Sequence, residues 1–491
     1  MTRSLAGRSC RLLIWLLVLL GCALWLPERS RASEQPGTQA PAALPYQVYL
    51  PYMTHNYPWQ SPLGVQSEAR LTGGVLLSRT SDLKIGWARV AAVRWRRAQP
   101  VEGGPIDWSQ LAQFEQELRA LKQAGIAPEV TILDSPRWAT VNVPYPTACG
   151  AIRTDKFGAF AAFVRALVQR YSVPEFDVHN WELGNEVDVD PRLVGPDSGF
   201  GCWGDINDRY YGGRHYGEML KVVAPAVRAA DRRARIWVGG LLLDLPHTTD
   251  PAKGRPELFL QGILEAGAAP YFDVVPYHAY PAYPNKLIDP DRVSGQWNAL
   301  GGLVVGKARF LRGIMQSYGA DKPLFLNEVA LMCPEPPYTD WCSPPASDFY
   351  EMQAVFLVRA FTRALAEHVE GAIWFSINGP GWRYTGLTDQ YYNPTPAYKA
   401  YQQFSAQIAD ASFARPVDYG LGVESYEFIK IGQRMQVVWA NQNQTLAILI
   451  PRSQFLGAAD RNGNPVQPIV YNSQTYLLLA RFDPMYLTLT P

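Results

Sequence analysis

The sequence predicts an α/β fold: a (β/α)8 TIM barrel followed by a small antiparallel β-domain. Three observations carry this. From about residue 63 to 412, short apolar runs alternate with longer amphipathic segments, the pattern of a parallel sheet covered by helices. Eight such runs fall within about 350 residues, which suits a closed barrel better than an open sheet. Beyond residue 412 the rhythm changes to short strand-like runs separated by turn residues.

The eight strands are expected at 63–68, 90–95, 127–133, 178–184, 235–240, 272–278, 323–328 and 371–376. Between them, "SQLAQFEQELRALKQAG" keeps apolar residues at helical spacing and stops at Gly125, a helix C-cap signal. "KFGAFAAFVRALVQRYS" and "EMQAVFLVRAFTRALAEH" behave alike. In the 413–491 segment, "SYEFIKIG", "RMQVVWA", "TLAILIP", "PIVYN" and "TYLLLARF" are strand-like, and "RNGN" supplies an Asn-Gly turn. A small β-sandwich-like domain is expected there.

The N-terminus is of another kind. Arg3, Arg8 and Arg11 precede an apolar run from Leu12 to Leu26, and "PERSRAS" then turns polar. This is the order of an export signal, expected over residues 1–33. The run is short for a membrane-spanning helix, so no span is expected in the mature chain. "LLGC", ending at Cys22, offers lipoprotein anchoring as an alternative, although Ala23–Leu26 continue the apolar run. Residues 34–62 are rich in Pro, Ala and Tyr without a period and read as a linker. The expected location is secreted or extracytoplasmic.

A net charge of +1 with 18% charged residues gives no electrostatic reason for a nucleic-acid partner. Aromatic residues reach 12%, which serves large cores and sugar-stacking sites equally. Beyond Cys10 and Cys22 there remain Cys149, Cys202, Cys333 and Cys342. Four cysteines in an exported chain suggest disulfides, with three connectivities on paper. Local pairing is the economical one, Cys333 with Cys342 and Cys149 with Cys202; a crossed pairing and four free thiols are the alternatives. None shows Cys-x-x-Cys spacing or a nearby His, so no metal is expected.

Two strand ends draw attention. "NWELGNE" stops on Asn185-Glu186, and "PLFLNE" on Asn327-Glu328. A single carboxylate at a strand end is most simply a solvated or ion-paired side chain. Two of them, on strands four and seven of a barrel whose chemistry sits at the C-terminal strand ends, point to one shared cavity.

"WELGNE" followed by "FLNE" resembles the clan A glycoside hydrolases, nearest in flavour to the β-xylosidase and iduronidase family. The likeness spans roughly residues 63 to 405. It implies Glu186 as acid/base and Glu328 as nucleophile. "VRW" is similar to the strand-two exit of these enzymes and implies Arg94 beside the nucleophile; "SPRWAT", with Trp138, resembles their strand-three exit. "HAY" brings in His278 and Tyr280, and Trp374 matches a strand-eight tryptophan under the sugar. Val187 stands where the family usually has Pro.

The chemistry accounts for these residue types. A retaining glycosidase places two carboxyl groups about 5–5.5 Å apart; one attacks the anomeric carbon while the other protonates the leaving oxygen and then activates water. Arg94 and Tyr280 are expected to hold Glu328 ionised, and that charge to raise the pKa of Glu186. Asn185 would bind the sugar 2-hydroxyl. Glu182 is expected to be an interior polar residue of the barrel, and His278 is either a core histidine or a sugar contact. Among loop tryptophans, Trp138, Trp203, Trp341 and Trp382 either stack on sugar or pack loops together. The expected function is an exported retaining glycoside hydrolase acting on an oligosaccharide, polysaccharide or glycoside, with no cofactor. A transglycosidase and a non-catalytic carbohydrate-binding surface protein on the same fold are the alternatives.

Overall fold

The computed structural model describes residues 60–141, 149–194, 200–293, 295–334 and 345–491. The expected export signal and nearly all of the linker lie outside the described residues. Eight strands form the first sheet: β1 (Leu63–Gln66), β2 (Trp87–Arg94), β3 (Ala127–Leu133), β4 (Asn180–Asn185), β5 (Arg235–Gly240), β6 (Val275–Ala279), β7 (Leu324–Val329) and β8 (Ala372–Phe375). All neighbours pair in parallel, and β8 pairs with β1. Between β5 and β6 the ring is joined by the bridges Trp237↔Val274 and Leu241↔Tyr277. This is a (β/α)8 barrel.

Strand two starts at Trp87, three residues before its expected start at residue 90. Arg89 is the reason: a charged residue interrupts an apolar run, yet this guanidinium is fully buried inside the barrel among carboxylates. The predicted helices are present. Ala112–Gln123 ends just before Gly125, whose φ of +71° carries the chain out of the helix. Phe157–Tyr171 buries Phe160, Val164, Leu167 and Val168 on one face.

The longest of these helices, Ser347–Ala366, is buried nearly all round because the C-terminal domain covers its outer side. That domain contains β9 (Ser412–Pro416), β10 (Val423–Lys430), β11 (Gln433–Ala440), β12 (Leu446–Pro451), β13 (Phe455–Asp460), β14 (Ile469–Val470), β15 (Thr475–Ala480) and β16 (Met485–Leu489). They form a five-stranded sheet, β13-β16-β11-β10-β9, and a three-stranded one, β12-β15-β14. Val438, Ile448, Ile450, Leu478 and Leu487 fill a shared core. The sequence pattern misses β9, β13 and β16. β13, "FLGAAD", carries no β-branched residue.

Two buried arginines of the long helix join barrel and β-domain. Arg363 donates to Asp289 (2.6 Å) and Asp291 (3.1 Å) of the loop after β6, and to Glu424 of β10 at 2.8 Å. Arg359 reaches Asp289 at 3.1 Å and the carbonyls of Ala440 and Phe482. Burial opposes ionisation of Asp289, but the guanidiniums of Arg363 and Arg359 outweigh it and hold its pKa below the ordinary carboxylate range. The stability this contributes is complete at neutral pH and is lost as the pH falls through that depressed value. Replacing Arg363 by Ala strands buried carboxylates and should cost about 3–5 kcal/mol of unfolding free energy. Denaturant titration checks this; a change below about 1 kcal/mol, the worth of an exposed pair, would show that the junction contributes little.

Candidate active site

The break in pattern at "LGNEV" has a backbone cause. Gly184 has φ +103° and Glu186 φ +49°, so the end of β4 kinks through two left-handed residues. For a glutamate that conformation is costly, of the kind concentrated at functional sites. Glu328, the fifth residue of β7, lies across the barrel mouth.

The two carboxylates meet. One oxygen of Glu186, one of Glu328 and a ring nitrogen of His278 all lie within 4.8 Å of one another. His278 Nδ1 is 2.9 Å from Glu186 Oε1 and 3.3 Å from Glu328 Oε2. Burial pushes the His278 pKa down, with Arg89 adding to it against the pull of Glu328, so the imidazole is neutral. His278 Nε2 is buried and has no hydrogen-bond partner among the described residues. A Cβ at residue 240 would lie 2.3 Å from it, so only Gly240 fits there. The proton therefore belongs on Nδ1, which hydrogen-bonds Glu186 and lies close to Glu328.

The environments of the carboxylates differ. Glu328 accepts from Arg89 Nη1 on one oxygen and from the Tyr280 hydroxyl on the other. Burial and the adjacent Glu328 raise the Tyr280 pKa well above the usual phenol value, so this hydroxyl stays a donor. Glu186 has no such cation in contact. Burial raises its pKa to about 7, opposed by Arg89 and Lys307 and reinforced by Glu182. The expectation that the Glu328 charge would do this is corrected: desolvation is the main cause.

Arg94 is a second correction. It pairs with Asp134 at 2.7 Å and is not the arginine on Glu328; Arg89, five residues earlier, takes that place from inside β2. Trp374 is a third. It is fully buried, its indole N–H donating to the Thr385 carbonyl and its ring against Phe356 and Phe361 of the long helix. Strand alternation explains this: Trp374 faces outward, and the next residue, Phe375, turns toward the site and meets the Tyr280 ring edge-to-face at 5.9 Å.

The remaining residues fall into place as follows. Asn185 Oδ1 accepts from Arg89 Nη2 at 2.7 Å. Trp138 is half-buried, edge-on to Trp95, and its buried Nε1 has no partner among the described residues. Trp203 packs between Phe157, His215 and Tyr216 and serves the core. Trp382 is 46% exposed and stands perpendicular to Tyr280 at 5.7 Å. Trp341 lies outside the described residues. Cys149 and Cys202 form a disulfide with a Cα separation of 5.0 Å, tying the loops after β3 and β4. Cys333 is disulfide-bonded; Cys342, its expected partner, lies outside the described residues.

Behind the site, Asp188 accepts from the N–H groups of Leu242 and Leu243 at 2.9 and 2.7 Å. Lys307 donates to the carbonyls of Leu242 and His278 at 2.7 and 2.8 Å. Together they fix the exit of β5 and the strand carrying His278. The sequence reading missed both, and Arg89, because the partners of each are distant in the chain.

Glu186, His278 and Glu328 could in principle share a metal ion. The donor set argues against it. Both Glu328 oxygens already face a guanidinium or a hydroxyl proton, and a cation there would adjoin the Arg89 charge.

No protein-family profile matches the chain, and no curated protein matches it in sequence. Solved structures do share its fold. A family 39 glycoside hydrolase from Bacteroides cellulosilyticus WH2 superposes with a TM-score of 0.66 at 16% identity, covering 88% of this chain and 81% of the other. A GH30 endoxylanase from Clostridium papyrosolvens C71 gives 0.60 at 12% identity, over 87% and 96%. A GH39 β-xylosidase from Caulobacter crescentus gives 0.53 at 16%, over 88% and 96%.

Proposed function

We propose that the chain is an exported retaining glycoside hydrolase that cleaves an O-glycosidic bond by double displacement. The observation that carries this is the pair of carboxylates, with oxygens within 4.8 Å, in opposite environments. Retaining enzymes set their two carboxyl groups about 5–5.5 Å apart, and the single imidazole of His278 reaching both, at 2.9 and 3.3 Å, supports so close a pair.

Glu328, paired with Arg89 and hydrogen-bonded by Tyr280, attacks the anomeric carbon. Glu186, protonated because it is buried, gives its proton to the leaving oxygen as that bond breaks. The product is a glycosyl ester on Glu328. Glu186, now a carboxylate, takes a proton from water, whose oxygen attacks the same carbon from the face the leaving group vacated. The ester bond breaks, Glu328 regains its charge, and the sugar leaves with its original configuration. Neutral His278, between the two, donates to whichever carboxylate carries charge at each stage. Asn185, which accepts from Arg89, is assigned to the sugar 2-hydroxyl.

Export rests on the charged-then-apolar N-terminus and is supported by the Cys149–Cys202 disulfide, since such bonds persist in oxidising compartments. Among the described residues no helix is long and apolar enough to cross a membrane. A panel of aryl β-glycosides and plant or bacterial polysaccharides tests the activity. The fold-mates place β-xylosides first in that panel; turnover of none of the panel would contradict the proposal.

Trp382 should provide a sugar platform beside Tyr280. Trp382→Ala is expected to raise KM about 5–10-fold with kcat little changed, the worth of one lost aromatic contact. Loss of kcat at constant KM would assign it another role.

A further inference from the structure

Beneath the nucleophile lies a carboxylate that the reaction does not use. Glu129 of β3 stands directly across from Arg89 of β2 in register, and both are fully buried in the barrel interior. Among the described residues neither Glu129 oxygen accepts a hydrogen bond; its nearest ionic contact is Arg89 Nε at 3.2 Å. Its neighbour Glu182 is the opposite case. Glu182 accepts from Arg89 Nε (2.9 Å) and Nη2 (2.6 Å), Thr131 (2.7 Å), the Gly240 N–H (2.7 Å) and Asn327 (2.9 Å). That carboxylate is ringed by donors, which hold it ionised.

The charge count is then unbalanced. The groups facing Glu129 are Arg89 from β2, Glu182 from β4 and Glu328 from β7. If all three glutamates were ionised, one guanidinium would face three buried negative charges. An uncompensated buried charge costs several kcal/mol, and a carboxyl group escapes that cost by keeping its proton. An acid at 129 also gains a partner, because its O–H can donate to Glu182.

We infer that Glu129 is a permanently protonated positioning residue, whose O–H donates to Glu182 and so holds Arg89 against the nucleophile. Burial first, and then Glu182, raise its pKa well above the ordinary range, consistent with this geometry. The residue touches neither substrate nor reacting atoms. It acts through Glu182 and Arg89, and its neutrality keeps a further negative charge away from Glu186.

The inference takes the proposed reaction as its setting, but its primary test needs no activity. Infrared difference spectra of the full chain, wild type minus Glu129→Gln, are recorded well above the Glu186 midpoint of about 7. A carboxylic-acid C=O band should persist in the wild type and be absent from the variant. Absence of the band would overturn the inference whether or not the chain is a glycosidase. On an active substrate, Glu129→Gln, a neutral group that still donates, should keep kcat within about fivefold, the net worth of one neutral hydrogen bond. Its pH profile should be unmoved. Glu129→Leu should lower kcat more than tenfold at similar KM. A Gln variant as impaired as the Leu variant, or one with a shifted pH profile, would show that Glu129 works as an anion and refute the assignment.

Discussion

Replacing Glu328 by Ala is expected to lower kcat/KM on an activated aryl β-glycoside by at least about four orders of magnitude, because no covalent intermediate can then form. Added azide should restore turnover by occupying the vacated volume and attacking the anomeric carbon directly. The product should be the glycosyl azide of inverted configuration, since one displacement replaces two. The protein should remain folded: Arg89 keeps Glu182 as an ion-pair partner. Rescue that gave an azide of retained configuration would mean that Glu328 is not the group attacking carbon.

Glu186→Ala should divide substrates by leaving group. General-acid assistance is worth about 10²–10⁴-fold, so unactivated glycosides should lose that much, while dinitrophenyl glycosides, whose leaving group needs no proton, should react nearly as fast in the first step. The same residue should shape the pH profile. It is active as an acid, and its pKa is raised to about 7 by burial. Activity on unactivated glycosides is therefore full below that value and falls as pH rises through it. Glu186→Ala should remove this alkaline limb from whatever activity remains. Equal loss on both substrate classes would contradict the acid role.

Much of this was legible in the sequence because barrel strands announce themselves locally. "FLNE" and "WELGNE" are partly apolar runs ending on a glutamate, and the C-terminal ends of β4 and β7 followed from them. What the pattern hid were residues whose partners lie on other strands. Arg89 sits within an apolar run, where a charge reads as a strand boundary; inside the closed barrel it meets Glu182 of β4 and Glu328 of β7, with Glu129 beside it on β3. Arg94 was the visible arginine because it stands at a strand end, yet its nearest anion is Asp134. Trp374 and Phe375 show the limit of a period-two pattern: a shift of one residue decides which ring faces the site. In the β-domain, β9 and β13 went unseen because pairing at the two edges of the five-stranded sheet, not composition, makes them strands.

The central claim is that Glu328 carries the sugar through a covalent intermediate, and trapping that intermediate tests it most directly. A 2-deoxy-2-fluoro glycoside of the sugar found in the substrate panel, with a good leaving group, slows both steps but the second more. Incubation with the full chain should add the mass of one fluoro-sugar, and peptide mapping should place it on Glu328. A label on Glu186, or an unlabelled chain that releases product of inverted configuration, would contradict the account.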